Sequence, residues 1–294
     1  MDRHGRTLGI VLWIVALAIM LAAARHQRTT GPTYPLDLAI DVEGLAGELV
    51  LPRSGTTDAA AEIVWPSRVI VSDAWVEWRR YPSDDAFTRL DFESEDGGPW
   101  TARLPIKPAA GKIEYRVVVE TLGGAQRTFP AAEEAPVLRY KDPVPAGVLV
   151  PHIAMMFLSM LFGIRAALAA ALGRAETRWL IPVTVLGLTT GGMILGPVVQ
   201  KYAFGAYWTG WPNGGDLTDN KTLVMWGVWL LLGLAFLVRS HWRRSDAGRL
   251  ATLMAALVML TVYLIPHSLR GSQLDYEALD AGIEAHEAIR TGGD

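Results

Sequence analysis

Cysteine is absent from all 294 residues. That excludes disulfides, thiolate zinc sites, cysteine-ligated iron–sulfur clusters and a cysteine nucleophile together. Charge is sparse as well: Asp, Glu, Lys and Arg make up 19% of the chain, against about 25% in an average soluble protein. A net charge of −3 supplies no basic excess to hold a nucleic acid. The GxSxG, HExxH, P-loop and dinucleotide fingerprints are all missing. With no hydrolase, metalloprotease or nucleotide signature to build on, the sequence points away from an enzyme.

What the chain does have is apolar length. Hydrophobic residues make up 51% of it and gather in five runs, Leu8–Ala24, Val148–Leu172, Trp179–Val199, Thr222–Val238 and Leu250–Ile265. Each approaches the roughly 17 to 25 residues a helix needs to cross hydrocarbon. Arginine concentrates in the N-terminal MDRHGR, in the loop with Arg174 and Arg178, and in RSHWRRSDAGR, which carries Arg239, Arg243, Arg244 and Arg249. The positive-inside rule makes these connectors cytoplasmic. The expectation is a five-span protein of a bacterial inner membrane, N-terminus inside, with residues 25–147, the loop from Gln200 to Lys221 and the acidic C-terminal tail in the periplasm. Ala22-Ala23-Ala24 would suit signal cleavage, but the apolar core is long for a signal peptide, and an uncleaved anchor is expected.

Between the first and second runs, residues 36–141 read as strands: Ala74–Tyr81, Phe87–Phe92, Trp100–Leu104, Ile113–Glu120 and Val137–Tyr140, separated by turn clusters such as Pro82-Ser83-Asp84-Asp85 and Gly123-Gly124. The segments VEWRRYPSDDAFTRLDF, WTARLPI and GKIEYRVVVETLGG resemble fibronectin type III and related immunoglobulin-like domains. That resemblance implies a β-sandwich used for positioning and partner binding, without catalytic residues. The whole arrangement, ending in YLIPHSLRGSQLDY, resembles bacterial membrane proteins to which no activity attaches. The expected fold class is membrane α plus all-β: an anchor at 1–24, an exported immunoglobulin-like sandwich at 25–147, a four-helix transmembrane bundle at 148–269 and an acidic tail at 270–294. A carbohydrate platform of Trp65, Trp75, Trp78 and Trp100 is the alternative to tryptophans serving as core.

Two features near the outer surface carry the functional expectations. His152 lies a turn inside the second span and His267 just after the fifth, so antiparallel helices would bring both imidazoles to similar depth. Paired histidines in an apolar bundle suit axial ligation of a haem b. Met155, Met156, Phe157, Phe204, Tyr207 and Trp208 would pack on the ring, and Lys201 or Arg270 would meet propionates. The competing expectation is that these histidines bond headgroups or backbone.

The second feature is the loop GPVVQKYAFGAYWTGWPNGGDLTDNKT, with five aromatics and five glycines. Tyr202, Phe204, Tyr207, Trp208 and Trp211 fit an interfacial aromatic belt. Asp219 and Asn220 are expected to cap the next helix, and Lys201, Tyr207, Trp208, Trp211, Asp216, Asp219 and Lys221 form a candidate partner or ligand surface. Arg165, low in the second span, is expected to snorkel. Gly187, Gly191, Gly192 and Gly196 thin one face of the third span for close packing. In the tail, Leu279, Ile283 and His286 share a helix face that would dock on the exported domain or a neighbour. The leading expectation is a non-catalytic membrane subunit that holds its β domain against other subunits of a respiratory or photosynthetic type of complex. The alternative is a bis-histidine haem b electron-transfer module.

Overall fold

The computed structural model describes residues 3–94, 97–131, 134–266 and 271–290. It falls into two compact units, one built from the helices and the other from Pro32–Pro143, Ala203–Gly205 and the tail from Ser272.

The helical unit contains five helices long and apolar enough to cross a membrane: α1 (Arg3–Thr30), α2 (Ala146–Ala171), the composite third span, α5 (Leu217–Val238) and α6 (Asp246–Leu264). Helix α2 is central, packing against α1, the third span and α6. Ala16 and Met20 of α1 join Met160, Ile164, Leu180, Met225, Trp229, Phe236 and Met259 in one core, so α1 contributes packing to the bundle. The outward faces carry Leu186, Leu231, Leu237 and Leu257, all exposed, as lipid-facing surfaces should.

The third span is not one regular helix. It runs as α3 (Thr177–Gly187), a π-helical stretch Leu188–Leu195, and α4 (Gly196–Phe204). Three of the four expected glycines pack closely: a Cβ on Gly187 would stand 2.4 Å from Ser159 Oγ, one on Gly191 2.7 Å from Met155 Cβ, and one on Gly192 2.7 Å from Thr222 Cγ2, whereas one on Gly196 would meet nothing nearer than 3.7 Å. Small residues at this density let helix backbones approach closely. The wider π turn was not legible in them.

In the β unit, hairpin β1 (Leu36–Val42) and β2 (Leu45–Leu51) turns at Glu43-Gly44, both at positive φ, as a two-residue turn matched to strand twist requires. The longest ladder pairs β5 (Asp73–Arg80) antiparallel with β8 (Lys112–Glu120) in continuous register. Around them the six-stranded sheet orders as β3 (Ser54–Thr56), β10 (Val137–Lys141), β8, β5, β6 (Thr88–Asp91), with β9 (Gln126–Phe129) also on β8. A separate ladder joins β4 (Glu62–Val64) to β7 (Thr101–Arg103). Along β8, Ile113, Tyr115, Val117 and Val119 alternate into one core with Val42, Leu49, Leu51, Ile63, Val76, Ala102 and Leu138.

The C-terminal tail belongs to this unit. β11 (Gln273–Leu274) pairs with β12 (Ile289–Arg290), and α7 (Tyr276–Asp280) is capped by Asp275. Leu274 N–H donates to the Ala110 carbonyl, and the buried Tyr276 hydroxyl both accepts from Lys112 N–H (2.9 Å) and donates to the Lys112 carbonyl (2.7 Å). Arg80 pairs with Asp280 at 2.7 Å. The anchors are therefore Leu274, Tyr276 and Ala288, with Leu279 packed against them. Ile283 is exposed and the His286 side chain is largely so, because α7 ends at Asp280, before either residue can join its face.

Candidate functional site

The loop after α4 is fixed by carboxylate and amide side chains of α5. Asp216 is the N-cap, its Oδ1 accepting from Thr218 N–H at 2.8 Å and Asp219 N–H at 3.3 Å. The expected caps turn the other way. Asp219 Oδ2 accepts from Thr209 N–H (2.7 Å), Gly210 N–H (3.0 Å) and Thr209 Oγ1 (3.2 Å), and Asn220 Oδ1 accepts from Trp211 N–H (2.7 Å). One helix end needs one cap, and Asp216, at the position just before the helix, supplies it. The carboxylate one turn later is thereby free to gather the loop's orphan amides, each costly to bury unpaired. Gly210 is required here: a Cβ would stand 2.6 Å from Asp219 Cβ.

Lys221, buried like Asp216 and Asp219, donates its ammonium to the Ile265 carbonyl just past α6, a favourable placement for a cation at a helix C-terminus. These charges hold the scaffold, and aromatic rings form the surface. Tyr207 and Trp211 are 60% and 69% exposed, while Trp208 Nε1 donates to the Trp211 carbonyl at 3.0 Å and Lys201 lies over the Tyr207 ring.

His152 is half-buried, with Nδ1 2.8 Å from the Gly191 carbonyl in the π stretch. A carbonyl only accepts, so Nδ1 is the donor in this bond. His267 and Arg270, the other members of the expected haem site, lie outside the described residues. Met155 and Met156 pack against Gly191 and Gly192. Phe204 belongs to the β unit, under the Arg139 guanidinium.

The tryptophan platform does not assemble. Trp65 is buried in the core, Trp75 is on the opposite face of β5 covered by Arg89, Trp78 lies under Lys107, and only Trp100 is exposed among the four.

Arg165 does not snorkel to water. It is buried, its Nη2 donates to Glu176 at 2.9 Å, and its guanidinium lies 5.4 Å from the Trp13 ring centroid. Arg174 grips the same carboxylate. Arg174 first and Arg165 second hold the Glu176 carboxyl below its usual range. This network was missed because it needs the α2–α3 loop to fold back on the helix. The i, i+2 spacing of Arg174 and Glu176 was its only signal.

The same end of the helical unit holds a cavity of about 840 Å³ lined by Arg174, Arg178, His241, Arg243, Arg244 and Arg249. In the sequence these arginines carry a topological signal only. Among the described residues, no group of three or more His, Asp or Glu is placed to hold a metal. No protein-family model and no curated protein matches the chain, so the site is read from its own geometry.

Proposed function

We propose that this protein is a non-catalytic membrane subunit that displays a β domain and an ordered aromatic loop to other subunits of a larger complex, on the periplasmic side of a bacterial inner membrane. The single observation that carries the reading is the contrast within residues 200–221. The backbone is held by Asp216, Asp219 and Asn220, yet Tyr207 and Trp211 project outward. Rigid aromatics presented on a fixed backbone are what protein interfaces favour, because little side-chain entropy is lost on binding. The shared core of the β unit supports the further reading that it is an immunoglobulin-like sandwich of the positioning kind.

A photo-crosslinking residue at position 211, in native membranes, should form one dominant protein adduct, and the same residue at lipid-facing Leu231 should not. Migration of the full chain in mild detergent should exceed that of the monomer. A free monomer together with only lipid adducts from position 211 overturns the proposal.

His152 favours a second reading, a haem b module. A ligating imidazole typically donates its other nitrogen to a carbonyl, and the Gly191 bond supplies that arrangement. A dithionite-reduced minus oxidised spectrum of protein from haem-replete cells should then show an α-band that His152→Ala removes. A flat difference spectrum leaves His152 with the bond to Gly191 as its whole role.

A further inference from the structure

The cavity at the arginine-rich end of the helical unit is a built one. Arg249 donates Nε to the Ala170 carbonyl at 2.9 Å and Nη2 to the Ala171 carbonyl at 2.8 Å, covering the C-terminus of α2. Gly173, at φ +64, turns the chain directly beside the Arg249 guanidinium. Across the cavity, the short helical turn Ser240–Arg244 is held by Ser245, whose hydroxyl donates to the Trp242 carbonyl at 2.7 Å and accepts from Gly248 N–H at 3.1 Å. The acids nearby pair with two of the lining arginines, Glu176 with Arg174 as well as the buried Arg165, and Asp246 with Arg249. Among the described residues, no Asp or Glu lines the cavity. Among the described residues no carboxylate pairs with Arg178, Arg243 or Arg244. Guanidiniums converging without counter-charge in a concavity raise the local concentration of anions, and their planar forks fit phosphate oxygens two at a time.

From this geometry we propose that the pocket binds a phosphate-bearing anion, the headgroup of an anionic phospholipid, through Arg178, Arg243 and Arg244. The lipid source is favoured by what borders the site: Leu172, Val238 and Leu250, at the helix ends beside the arginines, are exposed and apolar, a surface along which acyl chains can lie while the headgroup enters. Basic pockets among transmembrane helices have this chemistry in general.

The full-length protein, delipidated in neutral detergent, is offered phosphatidylcholine, phosphatidylglycerol, cardiolipin or soluble pyrophosphate, and retained adducts are read by native mass spectrometry. Anionic lipids should be retained over phosphatidylcholine. Replacing the three arginines by Gln should lower that retention by about a hundredfold, at about fivefold for each charge removed. R239Q, outside the pocket, should leave it unchanged. Where the Gln variant fails to insert or fold, R178K/R243K/R244K keeps the charge that sets topology while removing the forks, and its retention should still fall. Equal retention of zwitterionic and anionic lipid, or loss in R239Q equal to loss in the pocket variant, overturns the proposal. Arginine-dependent binding of pyrophosphate without retention of anionic lipid overturns the lipid source and assigns the pocket to a soluble phosphate.

Discussion

Tyr276→Phe isolates the bond that keeps the C-terminal tail in the β unit. The hydroxyl makes two contacts with one residue, accepting from Lys112 N–H and donating to its carbonyl. The carbonyl keeps a second donor, Tyr81 N–H at 3.0 Å, so removing the hydroxyl orphans only the amide. One net hydrogen bond is worth about 1 kcal/mol and a stranded amide in a partly buried place costs about 1–3 kcal/mol, giving about 2–4 kcal/mol in all. That corresponds to local opening about 30-fold to 1,000-fold more frequent. Phe retains the ring that Arg80 overlies, so packing is preserved and the loss belongs to the hydroxyl. Amide hydrogen exchange of the purified protein should show lost protection at Lys112 and Leu274, with Val117 and Val119 of β8 unaffected. Unchanged protection at Lys112 would refute the reasoning, since no tail contact could then depend on that hydroxyl.

Asp219→Ala should release the loop, because it strands the Thr209 and Gly210 amides; about 2–4 kcal/mol of local stability is lost, read as new chymotryptic cleavage at Tyr207 or Trp208. Glu176→Gln leaves the buried Arg165 uncompensated and should cost about 3–5 kcal/mol, while the double variant R165M/E176Q should recover most of it, both read from thermal unfolding in detergent. Because Arg174 and Arg165 lower the folded carboxyl, this pair's contribution is complete above the ordinary carboxylate range and is lost as pH falls through the lowered value. Lys112, whose Nζ bonds Gln273 of the tail, is pushed down to about 8, chiefly by burial. The unfolded chain then binds more protons between about 8 and 10.5, so stability of the β unit should rise with pH across that window. Lys112→Met should reduce the rise to what Lys107, which burial also lowers, contributes.

The spans were legible because hydrocarbon imposes a length, and the central strands because alternation imposes a face. Val148–Leu172 matches α2, and Ile113–Glu120 matches β8, to within a few residues. The failures were of a different kind. The π stretch Leu188–Leu195 depends on which carbonyl each amide selects, at glycines against which Met155 and Thr222 of other helices lie, and no local pattern records it. Asp216 and Asp219 read alike in sequence, yet one caps and the other ties a loop ten residues back. The tail's anchor, Tyr276, meets a residue 164 positions away, and its five-residue helix is too short to show a period. Arg165 was misplaced for the same reason, since its partner is on a loop that must fold back before the pair exists.

Whether the arginine-rich end is more than a topological signal turns on shape. Orientation in the membrane depends on charge near helix ends and is indifferent to side-chain geometry, whereas a phosphate pocket needs its forks held in place. Gly248 separates the two. A Cβ there would stand 2.0 Å from the Trp242 carbonyl oxygen and 2.8 Å from its carbon, backbone atoms that cannot rotate away, so Gly248→Ala must displace the turn carrying Arg243 and Arg244. Overpacking of this kind costs about 1–3 kcal/mol, and no charge changes. The variant should therefore insert with its orientation intact, as judged by protease accessibility of the tail in sealed vesicles, while its retention of anionic lipid falls. Retention equal to that of the parent protein, in a variant whose turn has moved, would show that charge alone accounts for these arginines.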